Sequence, residues 1–144
     1  MYKHILIATD GSELAGKAVS AGLTLAKALG AKVTAVNATE PWTAMVTGEA
    51  ALAFPIEEYE KSSAENAAKI LTEVTDAAKK QGVTCDTAHV NDFPAEAIIE
   101  TVKAKGCDLI VMSSHGRRGL ARVLLGSQAM RVLTLSTVPV LICR

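Results

Sequence analysis

The chain alternates short runs of β-branched and aliphatic residues with longer amphipathic stretches that stop at glycine. This switching of hydrophobic period is the strongest constraint on its fold. Residues 3–9 read as a first strand and 13–29 as a helix with Leu14, Ala18, Ala21, Leu25 and Leu29 on one face, stopped by Gly30. A second strand follows at 33–36. Residues 57–81 read as a long helix with a stripe of Ala64, Ala67, Leu71, Val74 and Ala78, ended by Gly82. Residues 83–90 form a third strand. The next helix starts at Pro94, capped by Asp92 or Phe93, and ends at Gly106. The run 107–112 is apolar on both faces, as a central strand must be. A helix opening near Ser127 carries Ala129, Val132 and Leu133, and residues 138–142 supply the last strand. Only 38–57, with Pro41, Gly48 and Pro55, lacks a period; it reads as a long loop with a short helical piece. Such β-α alternation predicts a parallel, doubly wound α/β sheet with right-handed crossovers.

The 144 residues suit a single domain, 1–144. Aromatics are 3%, so Val, Ile, Leu and Ala must build the core. Fifteen basic residues balance fifteen acidic ones, which excludes a broad field drawing the chain to nucleic acid or a membrane surface. No apolar run approaches a membrane span, and Met1-Tyr2-Lys3-His4 lacks a signal-peptide layout, so a cytoplasmic location is expected. Cys85, Cys107 and Cys143 are odd in number and widely spaced, as small buried hydrophobes rather than a disulfide framework or zinc site.

Ligands of doubly wound sheets sit beyond the C-terminal strand ends, where strand order reverses. Two strand ends carry suitable residues: Thr9-Asp10-Gly11-Ser12, and Ser113-Ser114-His115-Gly116 with Gly126-Ser127 opening the next helix. Glycine lets backbone approach a phosphate, and a helix start binds anions. Asp10 can accept from a ribose hydroxyl or hold Mg²⁺ through water. Arg117, Arg118 and Arg122 add positive charge. Each residue also has a plain structural use: Asp10 or Ser12 as a helix cap, Gly116 and Gly119 as turn residues, Gly126-Ser127 as a helix start, His115 as a structural histidine, the arginines as a solvated face. His4 and His89 fall in strands with no evident partner and receive no role.

Four stretches together resemble the universal stress protein family over essentially the whole length: His4 to Ser12, Asp108 to Gly116, Leu124 to Ser127 and Val138 to Ile142. The ATP-binding branch of that family has the pattern G-x2-G-x9-G-[ST]. Gly116, nine residues, then Gly126-Ser127 match its longer part; Ser113 stands at the first glycine. The resemblance implies five parallel strands in order 3-2-1-4-5 with helices on both faces, as in adenine nucleotide α-hydrolase-like proteins. It implies that Ala8, Thr9 and Asp10 contact adenine and ribose, that Val36 lines the adenine pocket, and that Met112 and Ser113 sit against the nucleoside. His115, Gly116, Gly126, Ser127 and Gln128 would then hold the phosphates. It further implies a homodimeric stress-response module, paired through 138–142, that binds ATP (or ADP, AMP or cyclic AMP), with or without Mg²⁺, and has at most weak ATP hydrolysis. An enzyme of similar fold would need S-G-G-x-D-S after strand one or an H-x-G-H pair; the chain has A-T-D-G-S and a single His115. A phosphorelay receiver lacks its second acid, and a flavodoxin its aromatics. The remaining alternative is a dimeric interaction protein without nucleotide.

Overall fold

The apolar runs become five parallel strands: β1 (His4–Ala8), β2 (Lys32–Thr39), β3 (Cys85–Asn91), β4 (Leu109–Ser113) and β5 (Val140–Cys143). They lie in the order β3-β2-β1-β4-β5. The helices between them are α1 (Glu13–Leu29), a short α2 (Trp42–Met45), α3 (Ile56–Gln81), α4 (Pro94–Lys105) and α5 (Ser127–Leu135). This computed structural model describes residues 1–45, 48–49, 55–116 and 125–144.

Strand alternation sends Ile5 and Ile7 to one face and Leu6 to the other. Ile5, Ile7, Val33 and Val111 pack under α1 and α3, with Leu23, Leu71 and Val74. Leu6, Val36, Ile110 and Met112 pack under α4 and α5, with Ile98, Val102 and Val132. Each such side chain, removed from water, contributes about 1.5–3 kcal/mol. Three helices end on a glycine in the left-handed conformation, Gly30, Gly82 and Gly106, whose missing Cβ makes that geometry cheap.

The element bounds differ from expectation where backbone pairing decides them. β2 runs to Thr39, because Asn37, Ala38 and Thr39 pair with His89, Val90 and Asn91. The segment 38–57 is therefore partly strand, and α2 is its short helical piece. Val83 bonds back to Ala78 O and belongs to the helix stop, so β3 starts at Cys85. β4 starts at Leu109 and gains Ser113, which pairs with Cys143. Val138 and Pro139 precede β5, and Pro139 gives only its carbonyl, to Ile110 N–H.

Two helix faces also differ. On α1 the buried stripe is Ala15, Ala18, Val19, Gly22, Leu23 and Ala26; Ala21 and Leu29 are exposed, and Leu14 and Leu25 half-buried. Small residues face the sheet because its Ile and Val side chains fill the gap. A Cβ on Gly22 would stand 2.6 Å from Ile7 Cδ1. On α3 Ala64 is exposed and Ile70 buried. That helix has 26 residues, about 39 Å. The 7-residue β3 it leads to spans only about 23 Å, so the first turns of α3 overhang the C-terminal edge of the sheet. Leu133 on α5 is likewise exposed.

Both strand histidines find threonine partners on β2. His89 Nε2 lies 2.7 Å from Thr39 Oγ1, and the buried His4 Nε2 lies 2.8 Å from Thr34 Oγ1. Asp108 accepts from the N–H groups of Lys3 and His4. Burial, and then the charge of Lys32, hold the His4 imidazole below its ordinary 6.5, although a hydrogen bond to the Lys105 backbone and the charges of Asp108 and Asp86 oppose this. The unfolded chain therefore takes up a proton below pH 6.5 that the folded chain resists. Stability conferred by neutral His4 is complete above 6.5 and is lost as pH falls beneath it. Urea midpoints should drop between about pH 7 and about pH 5, and His4→Gln should flatten that drop. An equal drop in the variant would exclude His4 as its source.

Candidate functional site

β1 lies between β2 and β4, so the turns leaving β1 and β4 open on the same crevice. The first turn is tied down locally. Thr9 N–H donates to Val36 O at 3.0 Å, and Asn37 Nδ2 donates to Thr9 O at 2.9 Å. Gly11 N–H reaches Thr9 Oγ1, and Ser12 N–H reaches Asp10 Oδ1 at 2.9 Å. Ser12, not Asp10, is the N-cap of α1, accepting from Ala15 N–H.

The second turn is closed by one residue. Ser114 N–H donates to Cys143 O on β5 at 2.7 Å, and Ser114 O accepts from Gly126 N–H at 2.8 Å. A single residue, through the two peptides that flank it, thus joins the end of β4, the end of β5 and the start of α5. Gly126 is required by this closure: a Cβ there would stand 2.7 Å from Ser114 O and 3.4 Å from His115 Cα. At Gly116 a Cβ would stand 2.9 Å from Asp10 Oδ2, so the two turns meet at that point. Ser113, the departure from the motif, is buried and donates its hydroxyl to His115 O at 2.7 Å. His115 Nδ1 lies 3.0 Å from Ser114 Oγ, whereas its Nε2 is buried without a partner among the described residues.

Between the turns lies a cavity of about 640 Å³, within the usual size of a small-ligand pocket. The nucleotide-contact residues implied by the family resemblance line it: Ala8, Thr9 and Asp10 at the end of β1, Val36 from β2, Met112 and Ser113 from β4. His115, Gly116, Gly126, Ser127 and Gln128 line its other side. Arg117, Arg118, Gly119, Arg122 and Leu124 lie outside the described residues. Val36, Ile98 and Met112 make an apolar wall. At the opposite side α5 begins, and no side chain caps it. Its first N–H groups therefore point outward unpaired by the helix itself, with the positive end of its dipole. Gln128 does a structural job, its Oε1 accepting from Ala95 N–H at the start of α4. One turn on, Arg131 pairs with Glu96, so α4 fixes the angle of α5 at two points. A smaller depression of about 350 Å³ between α3 and β3 carries one imidazole, His89, already engaged with Thr39.

The profile of the Universal stress protein family matches residues 1–144. The chain belongs to the universal stress protein family. It is similar to the universal stress protein YxiE of Bacillus subtilis, 32% identical over the full length of both chains. Among solved structures it resembles protein MJ0577 of Methanocaldococcus jannaschii, with 28% identity, a TM-score of 0.81, and coverage of 99% of this chain and 96% of that one. It also resembles a universal stress protein solved in complex with cAMP, with 27% identity, a TM-score of 0.73, and coverage of 99% and 97%.

As a universal stress protein, the chain has the family's strand order, and its cavity has further walls that sequence reading did not single out. Ala15, Ala38, Glu40, Pro94, Ile98 and Ala129 line it too, beside Ser114 of the strand-end motif. Pro94 and Ile98 belong to a helix whose preceding strand is not a cavity wall, so no strand-end motif could mark them. Glu40 follows β2 within the segment that has no period. Tyr59 O–H, on the overhanging turns of α3, donates to Glu40 O at 2.6 Å. Trp42 packs on Tyr59 with ring centroids 5.2 Å apart. Among the described residues no three His, Cys, Asp or Glu side chains converge as a metal centre.

The clash at Gly126 makes a measurable difference. Gly126→Ala should lower stability by about 1–3 kcal/mol, because a backbone carbonyl cannot step aside as a side chain would. A chemical-denaturation midpoint unchanged from that of the parent protein would mean that the Gly126–Ser114 contact is not tight in solution.

Proposed function

We propose that this universal stress protein binds an adenine nucleotide in the β1/β4 cavity, ATP foremost, and works as a homodimeric regulatory module in the cytoplasm rather than as an enzyme. The observation that carries the reading is the pairing, in one cavity, of an apolar wall with an uncapped helix N-terminus. A purine ring suits the wall of Val36, Ile98 and Met112, and phosphates suit the α5 N–H groups. Asp10 stands between β1 and the Gly116 turn, where its carboxylate can accept a hydrogen bond from a ribose hydroxyl or from a water on nucleotide-borne Mg²⁺. The orphaned His115 Nε2 in the same turn is a polar atom for which a small loop shift on binding would supply a partner. Cyclic AMP is the second reading, favoured by the relative solved with that ligand. For the dimer, β5 is an edge strand with Leu141 exposed, and a second copy paired along it would cover both.

Gly126→Val is a poor probe of phosphate contact, since its side chain meets the protein's own backbone first. Ser127→Glu is better. Ser127 is exposed at the first position of α5, where a carboxylate favours the helix but repels a phosphate. Calorimetric titration should give ATP affinity reduced by about tenfold or more, with thermal stability kept or raised. Titrating ATP, ADP, AMP and cyclic AMP into the unsubstituted protein ranks the ligands. No heat and no thermal shift with any of them would sink the nucleotide reading, and sedimentation showing a monomer would sink the dimer.

A further inference from the structure

We propose that Ser113 is a positioning residue, which sets the orientation of the His115–Gly116 peptide so that the Gly116 N–H is presented to a phosphate. The proposal rests on the nucleotide reading above and concerns how this chain's departure from the glycine pattern acts. Ser113 is buried at the end of β4, and its backbone is held by pairing with Cys143. Its hydroxyl therefore starts from a fixed point, and it donates to His115 O at 2.7 Å. The peptide between His115 and Gly116 is planar and trans, so its C=O and N–H point in opposite directions. Fastening the carbonyl to Ser113 turns the Gly116 N–H away from β4.

Among the described residues nothing accepts from the Gly116 N–H, and Gly116 lines the cavity. The two preceding peptides cannot follow a flip, because one is clamped through the Ser114 N–H to Cys143 and the other through the Ser114 O to Gly126. With glycine at 113 the His115 carbonyl would lose this tether. The peptide could then flip, with its oxygen rather than its N–H toward an anion. The serine thus replaces freedom with orientation at the phosphate end of the cavity.

The test compares Ser113→Ala, Ser113→Gly and Ser113→Thr, which keeps the hydroxyl. Amide NMR of the nucleotide-free proteins reads the peptide directly. The Gly116 signal should shift or broaden in the alanine and glycine variants and return toward its original position in the threonine variant. Calorimetry then compares ATP with adenosine. The alanine variant should lose about three- to tenfold more affinity for ATP than for adenosine, the effect of one hydrogen bond. Threonine should restore the ratio. An unmoved Gly116 signal in Ser113→Ala overturns the proposal, whether or not nucleotide binds. Equal losses for ATP and adenosine also overturn it, since Ser113 would then act through packing alone. If the unsubstituted protein binds neither compound, the nucleotide reading itself fails and the phosphate role falls with it.

Discussion

The pairing of β1 with both β2 and β4 is the constraint on which the rest of the molecule depends. β1 is the first strand in sequence and the middle strand in space, so the chain must wind outward from it in both directions. Parallel pairing leaves the β1 and β4 turns side by side, and helices laid on both faces wall the cavity they share. Both strands are buried along nearly their whole length, which holds the two turns in a rigid frame. The cavity is a product of strand order before it is a product of any side chain.

Within that frame the second turn is built mostly from main-chain contacts. Ser114 connects three elements through its own N–H and carbonyl, and Gly126 permits it by lacking a Cβ. A glycine in a phosphate-binding pattern invites the explanation that it admits the phosphate. Here its closest constraint is the protein's own carbonyl. Gln128 shows the same economy: a residue read as a phosphate ligand has its oxygen committed to the start of α4, where Phe93 offers no side-chain cap. The site's geometry therefore relies on α4, which carries none of the motif.

Much of this was legible in the sequence because the governing signals are local. Periodicity and the three stop glycines marked the strands and long helices. The strand-end motifs marked cavity residues after β1 and β4 and at the start of α5, and the family resemblance added Val36 of β2. The misread positions share one cause. The face of α1 was assigned to Leu14, Ala21 and Leu29 by hydrophobicity, yet the helix turns its Ala and Gly side inward because Ile7 reaches 2.6 Å from where a Gly22 Cβ would be. Helix orientation is a matter of complementary volume across the interface, and that is invisible in one strand of text. The end of β2 was likewise decided by its partner β3, and the walls from Glu40 and Ile98 by crossovers that bring distant segments to the same edge.

By itself, then, the sequence determined the order of elements, their termini to within a few residues, and the chemistry available at two strand ends, because each depends on neighbours along the chain. The tertiary structure alone decided which helix faces are buried, how Ser114 joins β4, β5 and α5, and where the Ser113 hydroxyl is directed. Those depend on contacts between residues far apart in sequence, and their distances exist only once the sheet has formed.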